Sequence, residues 1–290
     1  EAFFIADAAA AHGHEVRVVA ATLVRQLGIG ERGVKNDQRD ARKLSEVSTR
    51  IDLPSVHVPS ARSRERKALC NSRAKLLVSR TQLINYVRAR LRANAVVLHK
   101  RNPDTFPAQV REVLLAQPDG LPAHLERVLV SIDMLNLQLK QADRELGQLV
   151  AQDPLCQRLM TVPGVGPLIA VRFTSVLDQP QRFTSAHHVM SYVGLTPGEN
   201  SSSLRSRRTG ITKAGASELR FALVQGCWSM MRSKPNEPMV QWALAIAARR
   251  NKQVAVVALA RKLVGVLWAM WCEDTAYQAN KAAQPHHRSS

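Results

Sequence analysis

Between Leu125 and Leu149 the apolar residues Leu125, Val128, Ile132, Leu135, Leu139, Ala142, Leu146 and Leu149 recur at alternating steps of three and four. Only a helix, at about 3.6 residues per turn, brings such positions onto one side, and a run this long predicts a coiled-coil seam, within the chain or between chains. The Arg-rich stretch that begins at residue 60 repeats Leu69, Leu76 and Leu83, and likewise Leu77, Ile84 and Leu91, every seven residues, so one side of it is also apolar. A loop with Pro103, Pro107, Pro118 and Pro122 separates the two helices. Residues 59–152 therefore read as a helical coiled-coil arm, an element that holds subunits or subdomains together and needs no chemistry of its own.

The flanking regions differ from the arm. In residues 1–58 the helix formers AFFIADAAAAH end at Gly13 and are followed by the β-branched run EVRVVA, a helix-to-strand order that marks an α/β segment. Residues 153–290 open with LMTVPGVGPLIAVRF and close with three helices rich in Ala, Leu and Trp. The fold class expected is mainly α with an α/β remnant. The most apolar run, Val254 to Trp271, carries Arg261 and Lys262 at its centre and reads as a packed helix, not a membrane span.

Charge narrows the partner. Lys and Arg outnumber Asp and Glu by 41 to 23, and the excess, +18, reads as spread through the chain, which points to a polyanion and to nucleic acid before a membrane surface. Cys70, Cys156, Cys227 and Cys272 have no zinc-ligand spacing and read as reduced, partly buried thiols of a cytosolic protein.

Three constellations could carry chemistry. If NDQRDARKLSEVSTR is a helix capped by Asn36, the helical period of about 100° per residue puts Asp37 and Asp40 on the side of Ala41, Leu44 and Val47. Two carboxylates on an apolar side suit a divalent cation such as Mg²⁺; equally, two acids in a first turn suit the helix dipole and stay wet. In Pro163-Gly164-Val165-Gly166-Pro167, a tight turn between helical segments, Gly164 and Gly166 would let backbone N–H groups reach a phosphate, as in a helix-hairpin-helix. In SSSLRSRRTGITKAG, a polar loop, Ser201 and Ser202 precede Arg205, Arg207, Arg208 and Lys213. A hydroxyl beside several cations suits attack on a phosphodiester, and no Ser-His-Asp order or GxSxG elbow supports acyl chemistry. His187 and His188 read as the start of a helix.

Together these residues resemble the DEDD transposases of bacterial insertion sequences, relatives of the Piv invertase and of bridge-RNA-guided recombinases. K-x-D-x-x-D-A is matched by Lys35, Asp37, Asp40 and Ala41, PGVGPLIA by residues 163–170, and GL-x-P, S-S, G-x-I-[TS]-K-x-G by Gly194, Leu195, Pro197, Ser201, Ser202, Gly210, Ile211, Lys213 and Gly215. Asn36 and Ser203 depart from the usual Thr and Gly.

The resemblance implies a partial RuvC-like RNase H domain over 1–58, the arm, and a helical serine transposase domain over 153–290. It implies Mg²⁺ held by Glu1, Asp37 and Asp40, with the first Asp of the set upstream of Glu1, so that the chain reads as truncated at its amino terminus. It implies a serine nucleophile, Ser202 in the first place and Ser201 next, donor and target DNA, a guide RNA for which Arg62 to Arg92 is a candidate contact, and a dimer or tetramer. The alternative is a DNA- or RNA-binding module without catalysis.

Overall fold

The Ala-rich start of the chain forms helix α1 (Ala2–Ala11), which stops where Gly13 takes a left-handed backbone, φ +80°, and the amides of His12, Gly13 and His14 bond back to the last turn. The computed structural model describes residues 2–26, 37–98, 102–202 and 205–280; at positions 21, 25, 26, 37, 199–202 and 205–209 it describes the backbone alone. The chain divides into two units, Glu1–Ala61 and Arg62–Ser290.

In the first unit, the β-branched run yields only a short strand, β1 (Val18–Val19), paired antiparallel with β2 (Ser55–Val56). Arg17 beside this pair bridges Glu15 and Asp52. Helices α2 (Ala21–Gln26) and α3 (Asp37–Arg50) lie between the strands in sequence. Among the described residues of this unit only Ala6 and Leu53 are buried apolar side chains, while Phe4 is 78% exposed.

The second unit begins with the arm. Helix α4 (Ala61–Ala93) and helix α6 (Ala123–Ala151) pair in opposite directions: Arg73 meets Asp143, and seven residues later Arg80 meets Asn136. Between them the proline-containing loop holds a helix that the sequence reading missed, α5 (Phe106–Leu115). Pro107 falls in its first turn, where a missing N–H costs nothing, and Phe106, Val110 and Leu114 at steps of four bury one side. These three side chains join Ile84, Val87 and Leu91 of α4 and Leu125, Leu129 and Ile132 of α6 in a small separate core.

The stripe of α6 is rotated from the expected one. Leu125, Ile132, Leu139, Ala142 and Leu146 are buried as expected, but Leu129, Asn136 and Val150 are buried where Val128, Leu135 and Leu149 were expected, and these three sit half-buried at the edge. Asn136 can be inside because its side-chain oxygen accepts from Arg80 at 2.9 Å. The seam of α4 is equally mixed: Arg66, Arg73 and Arg80 recur along it and face Asp153, Asp143, and Asp104 with Asn136.

The main core is built from α7 (Pro154–Leu159), α8 (Pro167–Leu177), α9 (Ala186–Tyr192), α10 (Ser217–Ser233), α11 (Pro238–Arg249) and α12 (Lys252–Cys272), with the arm's root packed on it through Cys70, Leu146 and Val150. Of the described helices α12 alone is long and apolar enough to cross a bilayer, yet 61% of that stretch is buried in the fold, against α7, α9, α10 and α11. Cys70, Cys156 and Cys227 are buried free thiols and Cys272 is an exposed one.

Candidate nucleic-acid site

The serine-rich segment is not a loop. Pro197–Ser202 (β3) and Arg205–Ile211 (β4) form an antiparallel hairpin in which Asn200 pairs with Arg207, Ser201 with Ser206 and Ser202 with Arg205, after an irregularity between Pro197 and Glu199. The residues of the two strands, PGENSS and RSRRTGI, show no alternation of apolar and polar types, and Ile211, at the base of the ribbon, packs on the main core.

The base of the hairpin is fixed by close backbone approach. The amide of Thr212 donates to Thr196 O at 2.9 Å and that of Lys213 to Gly194 O at 3.2 Å. Gly194 (φ +74°) and Gly215 (φ +78°) cannot carry side chains: a Cβ on either would stand 2.0 Å from a backbone oxygen, of Ala214 and Tyr192 respectively. Arg220, in the first turns of α10, holds the same two segments together. Its Nη1 donates to Val193 O at 2.8 Å and Ala214 O at 3.1 Å, and its Nη2 to Lys213 O at 3.0 Å. Sequence reasoning did not single out Arg220. The available signal was a cation beside Leu219 and Leu223, two residues that are fully buried.

Lys213, between these anchors, has φ +56°, a left-handed backbone that costs a side-chain-bearing residue about 1–2 kcal/mol. Its side chain is exposed. In the next helix Glu218 is held below the usual carboxylate range by the hydroxyl of Ser217, with the charges of Arg172 and Lys67 acting in the same direction.

Around residues 160–166 two short helices do flank a tight turn. Gly164 (φ +79°) is pressed against α10, where a Cβ would meet Gly226 O at 2.8 Å and Met230 Cβ at 2.9 Å, so its lack of a side chain is needed for packing. Gly166 caps α8 with open space around it and no side-chain capping bond.

On α3, Asp40 is half-buried together with Leu44 and Val47, while Gln38, Arg39, Arg42, Lys43, Glu46 and Arg50 are exposed; Ala41, expected on the side of Asp40, is exposed as well. Helix α3 begins at Asp37, whose side chain, like Glu1 and Asn36, lies outside the described residues. Among the described residues no group of three or more His, Cys, Asp or Glu side chains stands close enough to hold a metal. His188 lies in the first turn of α9, its amide donating to Ser185 and its ring bonded to Thr184, and His187 is exposed beside it.

The arm's arginines are largely occupied. Arg62 and Arg66 bond Asp153, Arg73 bonds Asp143, Arg80 bonds Asp104, and Arg88 lies over the Phe106 ring, whereas Arg90 and Arg92 in the last turn of α4 are exposed. Nor is the positive charge evenly spread. Residues 1–61 contain eight Lys or Arg and eight Asp or Glu, so the net +18 falls within residues 62–290.

Comparison with known proteins identifies the family. Residues 2–94 match the DEDD transposase family of the IS110 type, and residues 156–243 match the Transposase IS116/IS110/IS902 family. A putative transposase of Sinorhizobium fredii is 30% identical over 94% of this chain and 71% of its own length. A probable family 20 transposase of Pseudomonas aeruginosa is 28% identical over 92% of this chain and 80% of its own. The transposase for insertion sequence element IS1111A of Coxiella burnetii is 28% identical over 84% of this chain and 68% of its own. The two matched segments hold the acid-bearing helix and the serine hairpin, and the chain belongs to the IS110 family of insertion-sequence transposases, enzymes that cut and rejoin DNA.

Proposed function

We propose that this transposase breaks and rejoins DNA through a serine nucleophile on the β3–β4 hairpin, with the acids of the first unit holding a divalent cation. The observation that carries the reading is the hairpin register: Ser202 lies opposite Arg205, and the period-two alternation of a strand puts positions 200, 202, 205 and 207 on one face. A serine whose strand position shares a face with arginine positions is suited to a phosphodiester, whose developing charge cations stabilise. The clasped base of the hairpin, at Gly194, Gly215 and Arg220, supplies the rigidity such positioning needs.

In this scheme Ser202 Oγ attacks the phosphorus. The Oγ–P bond forms as the bond to the leaving strand breaks, and the leaving oxygen takes up the hydroxyl proton. The hydroxyl of a second strand then attacks the phosphoserine and releases the enzyme, so no hydrolysis is required. Arg205, Arg207, Arg208 and Lys213 neutralise neighbouring phosphates, with Ser201 as the second candidate nucleophile.

Membership in a DEDD family suggests divalent-metal dependence. A donor set of carboxylate oxygens fits a hard cation, and Asp40, half-buried on the less exposed side of α3, is an oxygen donor of that kind. Asp37, Asp40 and Glu1 are the residues assigned to hold Mg²⁺, which when bound would lower the charge on the scissile phosphate. The RuvC-like identity of residues 1–58, the helix-hairpin-helix identity of the turn at Gly164 and Gly166, assembly through the 59–152 arm into a dimer or tetramer, and selection of DNA by a guide RNA belong to the same proposal. The family supports DNA as substrate, and within the Arg62 to Arg92 stretch the exposed Arg90 and Arg92 are candidate RNA contacts.

The decisive experiment is to trap a covalent protein–DNA adduct and map it by peptide mass. An adduct on Ser202, lost in Ser202→Ala, supports the scheme, and an adduct on Ser201 reassigns the nucleophile. Recombination that survives the double Ser201→Ala, Ser202→Ala change would refute it. Cleavage that is unaffected by Asp40→Asn and by chelation of divalent ions would remove the metal from the reading.

A further inference from the structure

We infer that Arg220 is a positioning residue whose task is to present the Lys213 ammonium to a DNA phosphate. Lys213 is one of four non-glycine residues with positive φ among those described, the others being Ala95, Asp178 and Asp274. What distinguishes it is that both of its peptide groups are pinned. Its N–H donates to Gly194 O at 3.2 Å, and its carbonyl accepts from Arg220 Nη2 at 3.0 Å. Fixing the donor on one side of the Cα and the acceptor on the other determines φ and ψ together, and with them the direction in which the side chain leaves the backbone.

An ordinary turn could have met the same need with glycine at 213, as the chain does at 194 and 215. A lysine kept in a strained backbone, with its side chain exposed, implies that the side chain is used. The basic character of residues 62–290 and the DNA-cutting activity of the family identify the acceptor as a phosphate of the bound DNA strand. The guanidinium spreads its donors over two nitrogens in a rigid fork, Nη1 to Val193 O and Ala214 O and Nη2 to Lys213 O, a spread that the single nitrogen of a lysine at 220 lacks. The inference deepens the hairpin reading, since it makes the hairpin's base a phosphate contact, but it requires only DNA binding and not the serine chemistry.

The test is the salt dependence of binding to a duplex of about 30 base pairs, measured by fluorescence anisotropy in the Ser202→Ala protein, so that cleavage does not intervene. Lys213→Asn keeps a residue tolerant of positive φ and removes the charge. It should lower the slope of log K against log salt by about 0.9, the value of one phosphate contact, while Lys213→Arg keeps it. Arg220→Lys should lose the same 0.9, and the double variant Lys213→Asn, Arg220→Lys should lose no more than either alone. An unchanged slope in Lys213→Asn overturns the inference, and does so even if Arg220→Lys fails to fold. Full additivity of the two losses would also overturn it, because Arg220 would then be acting by another route. Failure to find a serine adduct would leave these slopes untouched, so the two readings fail separately.

Discussion

Arg66 and Asp153, 87 residues apart in sequence, form a buried ion pair that joins the arm to the first helix of the main core. Asp153 also accepts the amides of Leu155 and Cys156 and so caps α7 while it holds α4. Removing one partner of such a pair leaves a buried charge, at a cost of about 3–5 kcal/mol. Asp153→Ala is expected to lower the midpoint of urea denaturation by a corresponding amount. A loss below 1 kcal/mol would mean that the pair is solvated in solution.

The same carboxylate gives the fold a pH dependence. Burial by itself would raise the Asp153 pKa, but bonds from Arg66 and the Cys156 amide, with the charges of Arg66 and Arg62, bring it below the ordinary value. An acid depressed on folding contributes stability above its unfolded pKa and loses it as pH falls through the folded one. Denaturation midpoints compared from neutral pH down through the carboxylate range should fall for the parent protein, and fall less for Asp153→Asn.

A methyl group on Gly164 would stand 2.8 Å from the carbonyl oxygen of Gly226, and one on Gly226 would stand 2.7 Å from that of Gly164. Gly226→Ala should destabilise by about 1–3 kcal/mol through overpacking, and Gly164→Ala by more, since its left-handed φ adds strain. Because both changes act on one contact, the double variant should cost less than the two losses added. Chemical denaturation of the four proteins measures this.

Charge location separates the arm's arginines. Arg73→Ala removes a half-buried partner of Asp143 and should cost about 0.5–1 kcal/mol of stability with no change in the salt slope of RNA or DNA binding. Arg90→Ala, at an exposed position, should leave stability unchanged and lower the slope for structured RNA by about one if the arm meets RNA.

Thiol reactivity reports on the core. Burial pushes the thiol of Cys156 up to about 11 and raises those of Cys70 and Cys227, and these three are inside the fold. A maleimide at neutral pH should label Cys272 alone in the native protein and all four cysteines in denaturant. Rapid native labelling of Cys156 would show that the α7–α8 region opens.

Legibility in the sequence followed apolar periodicity. Helix α6 was legible because its period is long, but the side it buries was off by one residue at several positions. At one of them the reason is that Asn136 is buried through hydrogen bonds and not through its hydropathy. Helix α5 was hidden because prolines read as loop, although Pro107 occupies the one turn where proline fits a helix. The hairpin was hidden for the opposite reason: PGENSS and RSRRTGI are polar almost throughout and show no period-two alternation. The candidate residues on α3 and the hairpin could be named from motifs, whereas Arg220 acts on backbone carbonyls, and no spacing rule in a sequence announces that.

The arginines of α4 have one more consequence. Residues 66, 73 and 80 are separated by one heptad each, and their acceptors differ, so the two helices engage like a key with unequal teeth. If α4 slid along α6 by one heptad towards the start of α6, Arg80 would move from Asn136 to the neighbourhood of Leu129, and a guanidinium would lie against a buried apolar side chain. Uniform leucines would have allowed that slip. The arm is therefore a ruler of set length, about 44 Å for the 29 residues of α6, and whatever binds at its far end is held at one distance from the core that carries the hairpin.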